Sequence, residues 1–403
     1  MKATLAPAAG TRLYYLDDAG VLFSEARQEL HLLNPMATVI WSLLEEGGDE
    51  PGIVAALRES HGLDEARSRQ FVSVALADWR AKGFLDDAAP LTASDPARDT
   101  ATSAMGPPWE SQATRHERHY RLLSSHIAIR FSSDAQARVV HPVLEHLETA
   151  ADRLAPMPTW FDIVESGERL LIYRDREYFA ETRGLDALAP VVKSLFWVTV
   201  LRDHAYFLNI HAGVVSDGTA CVVLPAPPGS GKSTLTASLV HAGFEFFSDE
   251  IALLQDTTLH VFPVPLAICV KDSGIEALAD RFPQVRTLPL HRRGDGKRVA
   301  YMPPPAQRRP SSEHPRPVRA LVFPRFEPGA RTSLEPLPRA EALQRLLSQC
   351  LVVAQPLNVD RVETLVRWIS GIPCYALDYG STEGAVDAMV SVCPAPGGGS
   401  PGP

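Results

Sequence analysis

Residues 221–235 read Cys-Val-Val-Leu-Pro-Ala226-Pro-Pro228-Gly229-Ser230-Gly231-Lys232-Ser233-Thr234-Leu, an apolar run that breaks into a Gly-rich turn and resumes in helix-compatible residues. The chemistry this suits is the holding of phosphate. In such a turn successive backbone N–H groups converge on the β-phosphate and the helix N-terminus adds its positive end. Lys232 then reaches the β/γ oxygens and the Ser233 hydroxyl ligates Mg²⁺. The candidate nucleotide-binding residues are therefore Ala226, Pro228, Gly229, Ser230, Gly231, Lys232, Ser233 and Thr234, with ATP and Mg²⁺ as cofactors. Ala226 stands where the strict motif has Gly, a mild departure because the later glycines give the close approach. An ordinary strand-to-helix turn would leave Lys232 and Ser233 without a task.

A second piece of chemistry follows in Phe244-Glu-Phe-Phe-Ser248-Asp249-Glu250-Ile251-Ala-Leu-Leu254, an apolar strand interrupted by two adjacent carboxylates. An acid pair at a strand end can hold Mg²⁺, or one member can take the proton of an attacking hydroxyl while the other binds metal through water. A solvated turn is the bland alternative. Upstream, Asn209-Ile-His211-Ala-Gly-Val-Val-Ser216-Asp217-Gly218 reads as a strand and turn leading into the P-loop strand. That places His211 near the phosphates, although a satisfied core histidine would look the same.

These three pieces resemble the HPr kinase/phosphorylase family, in particular its HPr-kinase-related branch, over roughly Tyr120 to Tyr379. The resemblance implies a P-loop kinase core of the HPr kinase/PEP carboxykinase type with a mixed sheet. It also implies that Asp249, seventeen residues after Lys232, is the general base, with Glu250 in place of the family's second Asp. Catalytic residues would then be Asp249, His211 and Lys232, and metal contacts Ser233, Asp249 and Glu250. Phe262 to Lys271 and Ala320 to Pro324 look like later segments of the branch. The family's Glu-x-Arg-Gly-x-Gly signature is replaced by Cys269-Val-Lys271-Asp-Ser-Gly274, so neither its second metal contact nor HPr as substrate carries over. The basic stretch His291 to Arg298 resembles the family loop that clamps transferring phosphate, which makes Arg293, Lys297 and Arg298 clamp candidates, with Lys271, in place of the signature's Arg, a fourth. An exposed charged turn is the other reading.

Composition sets outer bounds. With 403 residues, 45% hydrophobic and 22% charged, the chain is ordinary globular material for two or three domains. A formal charge of −9 argues against a broad nucleic-acid surface. Five cysteines lack paired or metal-binding spacing, no run has membrane-spanning length, and the start lacks a signal-peptide core. A cytoplasmic location is expected, with no nucleic-acid or membrane partner and a homo-oligomer left open.

The first 86 residues form a unit of their own. Leu13–Leu16, Val21–Ser24 and Glu29–Leu33 are expected strands, and Asn34-Pro35 caps a helix through Leu44. Two more helices are expected at about Glu50–Ser60 and Asp64–Lys82. This unit resembles the PqqD family through His31-Leu32-Leu33-Asn34-Pro35, Ile40-Trp41-Ser42-Leu43-Leu44, Ile53 to Leu57 and Lys82-Gly83-Phe84-Leu85. The resemblance implies a winged-helix module that takes a leader peptide as an extra strand along the third strand, with Leu30, Leu32, Leu33, Val72, Leu76 and Trp79 as peptide contacts. Closing the module's own core is the competing role for each of them.

Residues 87–114, rich in Ala, Ser, Thr, Pro and Asp, are expected to be a flexible linker. An α+β accessory layer is expected over 115–204. It has strands at Ile127–Phe131, Trp160–Val164 and Leu170–Tyr173, and helices at Ala135–Leu154 and Leu185–Asp203. A P-loop domain follows over 205–392, with a helix near Arg339–Val352, and then a disordered tail over 393–403. The fold class is α/β with these attachments. The function this implies is an ATP- and Mg²⁺-dependent kinase acting on a Ser or Thr hydroxyl of a precursor peptide. The alternatives are a small-molecule hydroxyl kinase and a non-catalytic, nucleotide-gated peptide binder.

Overall fold

A computed structural model describes residues 5–86, 106–151, 157–310 and 312–393. The chain opens with an antiparallel sheet of β1 (Thr11–Leu16), β2 (Ala19–Ser24) and β3 (Glu29–Leu33), followed by α1 (Pro35–Glu45), α2 (Glu50–His61) and α3 (Glu65–Ala81). Each helix starts where the sequence supplies a cap. Asn34, Asp49 and Asp64 accept from the N–H groups of Ala37, Gly52 and Arg67, each a device worth about 1 kcal/mol. Leu22 and Leu33 pack on Ile40, Trp41, Leu57, Leu76 and Trp79 to form the core.

Six strands follow as one sheet in the order β6-β4-β5-β7-β8-β9: β4 (His116–Leu122), β5 (Ser125–Phe131), β6 (Glu148–Thr149), β7 (Thr159–Ser166), β8 (Arg169–Arg174) and β9 (Glu177–Arg183). They carry α4 (Asp134–Leu144) and α5 (Leu188–Asp203). The expected helix to Leu154 ends ten residues early, because Glu148 and Thr149 pair with β4 instead. The described end of the expected linker is also structured. Trp109 packs on Val164 and Tyr173, and the Tyr173 hydroxyl donates to the Pro107 carbonyl; residues 87–105 lie outside the described residues.

Next come β10 (Tyr206–Ile210), β11 (Ala212–Ser216), β12 (Cys221–Pro225), α6 (Lys232–His241), β13 (Glu245–Ser248), β14 (Ala252–Gln255), β15 (Val261–Phe262), β16 (Ile268–Lys271) and α7 (Asp272–Ala279). Then follow β17 (Leu290–Arg292), β18 (Arg298–Met302), β19 (Val318–Phe326), β20 (Ser333–Pro336), α8 (Arg339–Ser348), β21 (Cys350–Val353), α9 (Val359–Ser370), β22 (Cys374–Tyr379) and α10 (Thr382–Val392). The central sheet runs β13-β11-β12-β19-β22-β20, with β12, β19 and β22 parallel. A second sheet runs β15-β14-β10-β21. The helix expected to Val352 stops at Ser348 because β-branched Val352 and Val353 join β10. Of the expected tail, Cys393 is described and is buried against α6 and α10 residues.

The chain divides into two units out of sequence order: 1–102, 337–344 and 355–372 form one, and 103–336, 345–354 and 373–403 the other. The expected 205–392 domain therefore gives two pieces to the first unit. There α9 packs on β1, the Tyr14 hydroxyl donates to the Val359 carbonyl, and the Gln28 amide both donates to and accepts from the backbone of Leu357. The Asp17 carboxylate accepts from the Arg339 N–H at the start of α8.

In the second unit His146 Nε2 donates to the Pro265 carbonyl at 2.8 Å, and burial holds its pKa down at about 4. A histidine neutral when folded but free to protonate when unfolded makes stability fall as pH drops from about 6.5 toward 4, by about 3 kcal/mol in full. Urea midpoints of wild type and His146→Gln should differ at pH 7 and converge toward pH 4; parallel curves would remove His146 from the acid limb.

Candidate functional site

β12 ends at Pro225, and the chain turns through 226–231 into α6 with Gly229 and Gly231 at φ +99° and +83°. A Cβ on Gly231 would also collide with the Tyr379 hydroxyl, so this position admits only glycine. Lys232 is buried, donates from Nζ to the Ala226 carbonyl at 3.0 Å, and is brought down to a pKa of about 8 by burial. The turn opens on a cavity of about 360 Å³, within the range of small-molecule sites.

The acid pair sits at a double change of sheet. β10 and β14 pair in one sheet and β11 and β13 in the other, so His211 lies between β10 and β11 just as Asp249 and Glu250 lie between β13 and β14. His211 Nδ1–H donates to the Glu250 carbonyl at 3.0 Å. Burial lowers the His211 pKa, so the ring is neutral near pH 7 and Nε2 keeps an accepting lone pair. Asp249 is buried. Its Oδ2 accepts from the Cys269 N–H at 3.0 Å while Oδ1 has no partner among the described residues. Burial and the neighbouring Glu250 charge raise the Asp249 pKa. Burial alone would raise Glu250 as well, but the Lys193 ammonium at 2.6 Å holds it down.

The structure gathers most of the expected residues around this cavity: Pro228, Gly229, Gly231, Lys232, Ser233, Thr234, His211, Asp249, Glu250, Lys271, Arg293 and Lys297. Ala226 lies beneath the turn and reaches the site through its carbonyl. The Ser230 hydroxyl is buried without a partner among the described residues. Arg298 is corrected: it is exposed on the flank of the β17–β18 hairpin, 4.0 Å from Asp272, and does not line the cavity. The Cys269 thiol, pushed up to about 11 by burial, stays protonated and makes a poor metal ligand. Among the described residues no cluster of three or more His, Cys, Asp or Glu is placed to hold a metal. The Mg²⁺ candidates Ser233, Asp249 and Glu250 all line the one cavity.

Sequence reasoning passed over Lys193, Phe326 and Tyr379. Lys193 could have been flagged as the one charge in Leu188-Ala-Pro-Val-Val-Lys-Ser-Leu-Phe-Trp, an otherwise apolar helix face. Phe326 and Tyr379 end strands whose neighbours only the fold discloses.

In the first unit β3 is an edge strand. Val72, Leu76 and Trp79, expected to touch peptide, are at most 1% exposed, and Leu33 is 3% exposed. These four are core residues, because their stripe of α3 and the inner face of β3 close on each other. Leu30 and Leu32 are half-buried on the opposite face, across from Val21 and Phe23. What α3 exposes is the adjacent stripe of Phe71 and Val74, 41% and 62% exposed, with Asp78 and Lys82 further along. His31 of β3 meets both, at 3.2 Å from Asp78 and 3.3 Å from Lys82.

Residues 19–85 match the family model described as coenzyme PQQ synthesis protein D (PqqD). The N-terminal module is PqqD-like. No curated protein matches the chain. Among solved structures, "TbiB1 in Complex with the TbiA(beta) Leader Peptide" is similar at 25% identity with a TM-score of 0.20, over 21% of this chain and 98% of that one. Among the described residues no helix is long and apolar enough to cross a membrane.

Removing Lys193 leaves the Glu250 carboxylate without its counter-charge, a loss of about 3 kcal/mol for a largely buried pair. Lys193→Met should lower the urea midpoint accordingly, and Lys193→Met with Glu250→Gln should regain most of the loss. Additive losses in that cycle would show that the two side chains are not coupled.

Proposed function

We propose that this protein is an ATP- and Mg²⁺-dependent kinase that phosphorylates a Ser or Thr hydroxyl of a precursor peptide captured by its PqqD-like module. The observation that carries the catalytic half is the Asp249 carboxylate, buried beside the phosphate-binding turn with Oδ1 unpartnered. A buried carboxylate that lines the cavity, with a raised pKa and one oxygen lacking a partner among the described residues, suits a group that takes a hydroxyl proton. The capture half is supported by the match over residues 19–85 and by the open edge of β3 beside the exposed stripe of α3.

In this reading the turn N–H groups and Lys232 hold the β- and γ-phosphates, with Lys232 leaving the Ala226 carbonyl for them. The peptide hydroxyl oxygen forms a bond to the γ-phosphorus as the bond to the β,γ-bridging oxygen breaks. Its proton passes to Asp249 Oδ1, and ADP leaves. Mg²⁺ on the Ser233 hydroxyl would offset the charge shared by the phosphates. Glu250, held charged by Lys193, serves as a fixed anion rather than as the base. Arg293 and Lys297 at the hairpin tip are the clamp on the transferred group, and neutral His211 fixes the backbone of the acid pair. Tethering peptide to kinase raises the local concentration of the acceptor without strong binding at the cavity.

Intact-mass analysis of a candidate precursor peptide, incubated with full-length protein, ATP and Mg²⁺, tests this. One added phosphate is expected, lost with Asp249→Asn while ATP affinity changes less than about threefold, since the lost group acts on the nucleophile. Val74→Asp should weaken peptide capture by about tenfold or more by placing a charge on the apolar stripe. Unchanged turnover in Asp249→Asn would remove that residue from the mechanism, and bound ATP without any transfer would favour a nucleotide-gated peptide binder.

For the free enzyme, kcat/KM should follow a bell in pH. The rate rises as Asp249 loses its proton, above the usual carboxylate range, and falls again as Lys232 loses its own near pH 8. A profile flat from pH 5 to 9 would contradict both assignments.

A further inference from the structure

In the central sheet β12 stands between two unlike neighbourhoods. On one side β11 and β13 lead to His211, Asp249 and Glu250; on the other, β19 and β22 run parallel to β12 and end at Phe326 and Tyr379. Ligands of parallel sheets lie beyond the carboxyl ends of the strands, and Phe326, Tyr379 and Thr382 all line the same cavity as the phosphate-binding turn. A nucleotide whose terminal phosphate points to Asp249 must carry its base away from the acid corner, across the turn, to the aromatic side.

Phe326 is built to receive it. Its N–H donates to the Ser230 carbonyl at 3.1 Å, which ties the residue to the turn itself. Its ring is backed by Tyr379, with centroids 5.4 Å apart and planes at 57°. The residue is nevertheless 41% exposed. A large aromatic fixed from behind and open in front is a stacking platform.

We propose that Phe326 stacks on the purine base of the bound nucleotide, an assignment that rests on the nucleotide reading of the turn. Stacking reads a π-face and not a base edge, so ATP and GTP use the platform alike, whereas inorganic tripolyphosphate cannot use it.

Calorimetric titration of the full-length protein with ATP, GTP and tripolyphosphate, each with Mg²⁺, separates the two ideas. Wild type should prefer ATP and GTP over tripolyphosphate by about tenfold, Phe326→Ala should lose that preference with tripolyphosphate affinity unchanged, and Phe326→Trp should restore it. If Phe326→Ala binds ATP as wild type does, or wild type shows no preference, the platform is overturned while the nucleotide reading stands. Equal loss of all three ligands in Phe326→Ala would also overturn it, since the residue would then only support the turn. If wild type binds none of the three, the nucleotide reading falls and the platform with it.

Discussion

The site depends on the chain changing sheets twice at one level. Ladders run from Ile210↔Ala252 on one side to Val214↔Ser248 on the other, and between the strands His211 and 249–251 cross from sheet to sheet. Backbone groups at such a crossing lose their ladder partners and must find others. The His211 N–H finds the Gln349 carbonyl, the Ile251 N–H finds Ser248 Oγ, and the Glu250 carbonyl finds the His211 ring. Polar residues are thus required at this corner for structural reasons, and the turn after β12 opens beside it. Chemistry is built from groups that the fold already had to place there.

Two adjacent carboxylates at one corner would repel if both were charged, and their surroundings resolve this by treating them differently. Asp249 is buried with one N–H donor and an oxygen that has no partner among the described residues, whereas Glu250 meets the ammonium of Lys193. The first is pushed toward the neutral acid and the second held as the anion. Neighbouring groups whose pKa values are driven apart can take separate roles, one moving a proton and the other supplying fixed charge. The divergence originates in α5, from a side chain that also lies 5.1 Å over the Tyr301 ring.

The parts legible in the sequence were those whose signal is local. The Gly-rich turn, the acid pair and the Asn34 cap each announce themselves within a few residues, and the structure places the turn between β12 and α6, the pair between β13 and β14, and the cap at the start of α1. Misreadings came where a distant strand decided the outcome. Residues 148–149 leave a helical pattern to pair with β4, and 350–353 leave one to pair with β10. The apolar stripe of α3 was legible as a stripe, but periodicity could not say which flank the core would take. Val72, Leu76 and Trp79 went inward, and Phe71 and Val74 were left for another partner. Lys193 shows locally only as a lone charge in an apolar run, its partner lying 57 positions away, and Phe326 carries no local signal, because the turn it contacts lies 96 positions away.

The N-terminal module shows how a segment recognised by similarity can differ from the unit that folds. The PqqD match covers residues 19–85, yet all six residues of β2 are buried, so the sheet is covered on both faces. The helices α1–α3 cover one face. On the other, Val21 and Phe23 are fully buried within a unit that includes 355–372, where α9 packs on β1 and Gln28 grips the backbone of Leu357. α9 in turn buries Val362, Leu365 and Ile369. Cutting the chain after residue 87 would return these side chains to water, at about 1.5–3 kcal/mol for each fully exposed one. Two-sided burial also fixes the register of β1–β3, since a one-residue slip would turn every side chain to the wrong face. An edge strand held in register in this way keeps a defined row of backbone groups, the feature that the proposed capture of a peptide would use. The function of the module is therefore better separated from its stability by substitutions on the exposed stripe of α3 than by deleting it.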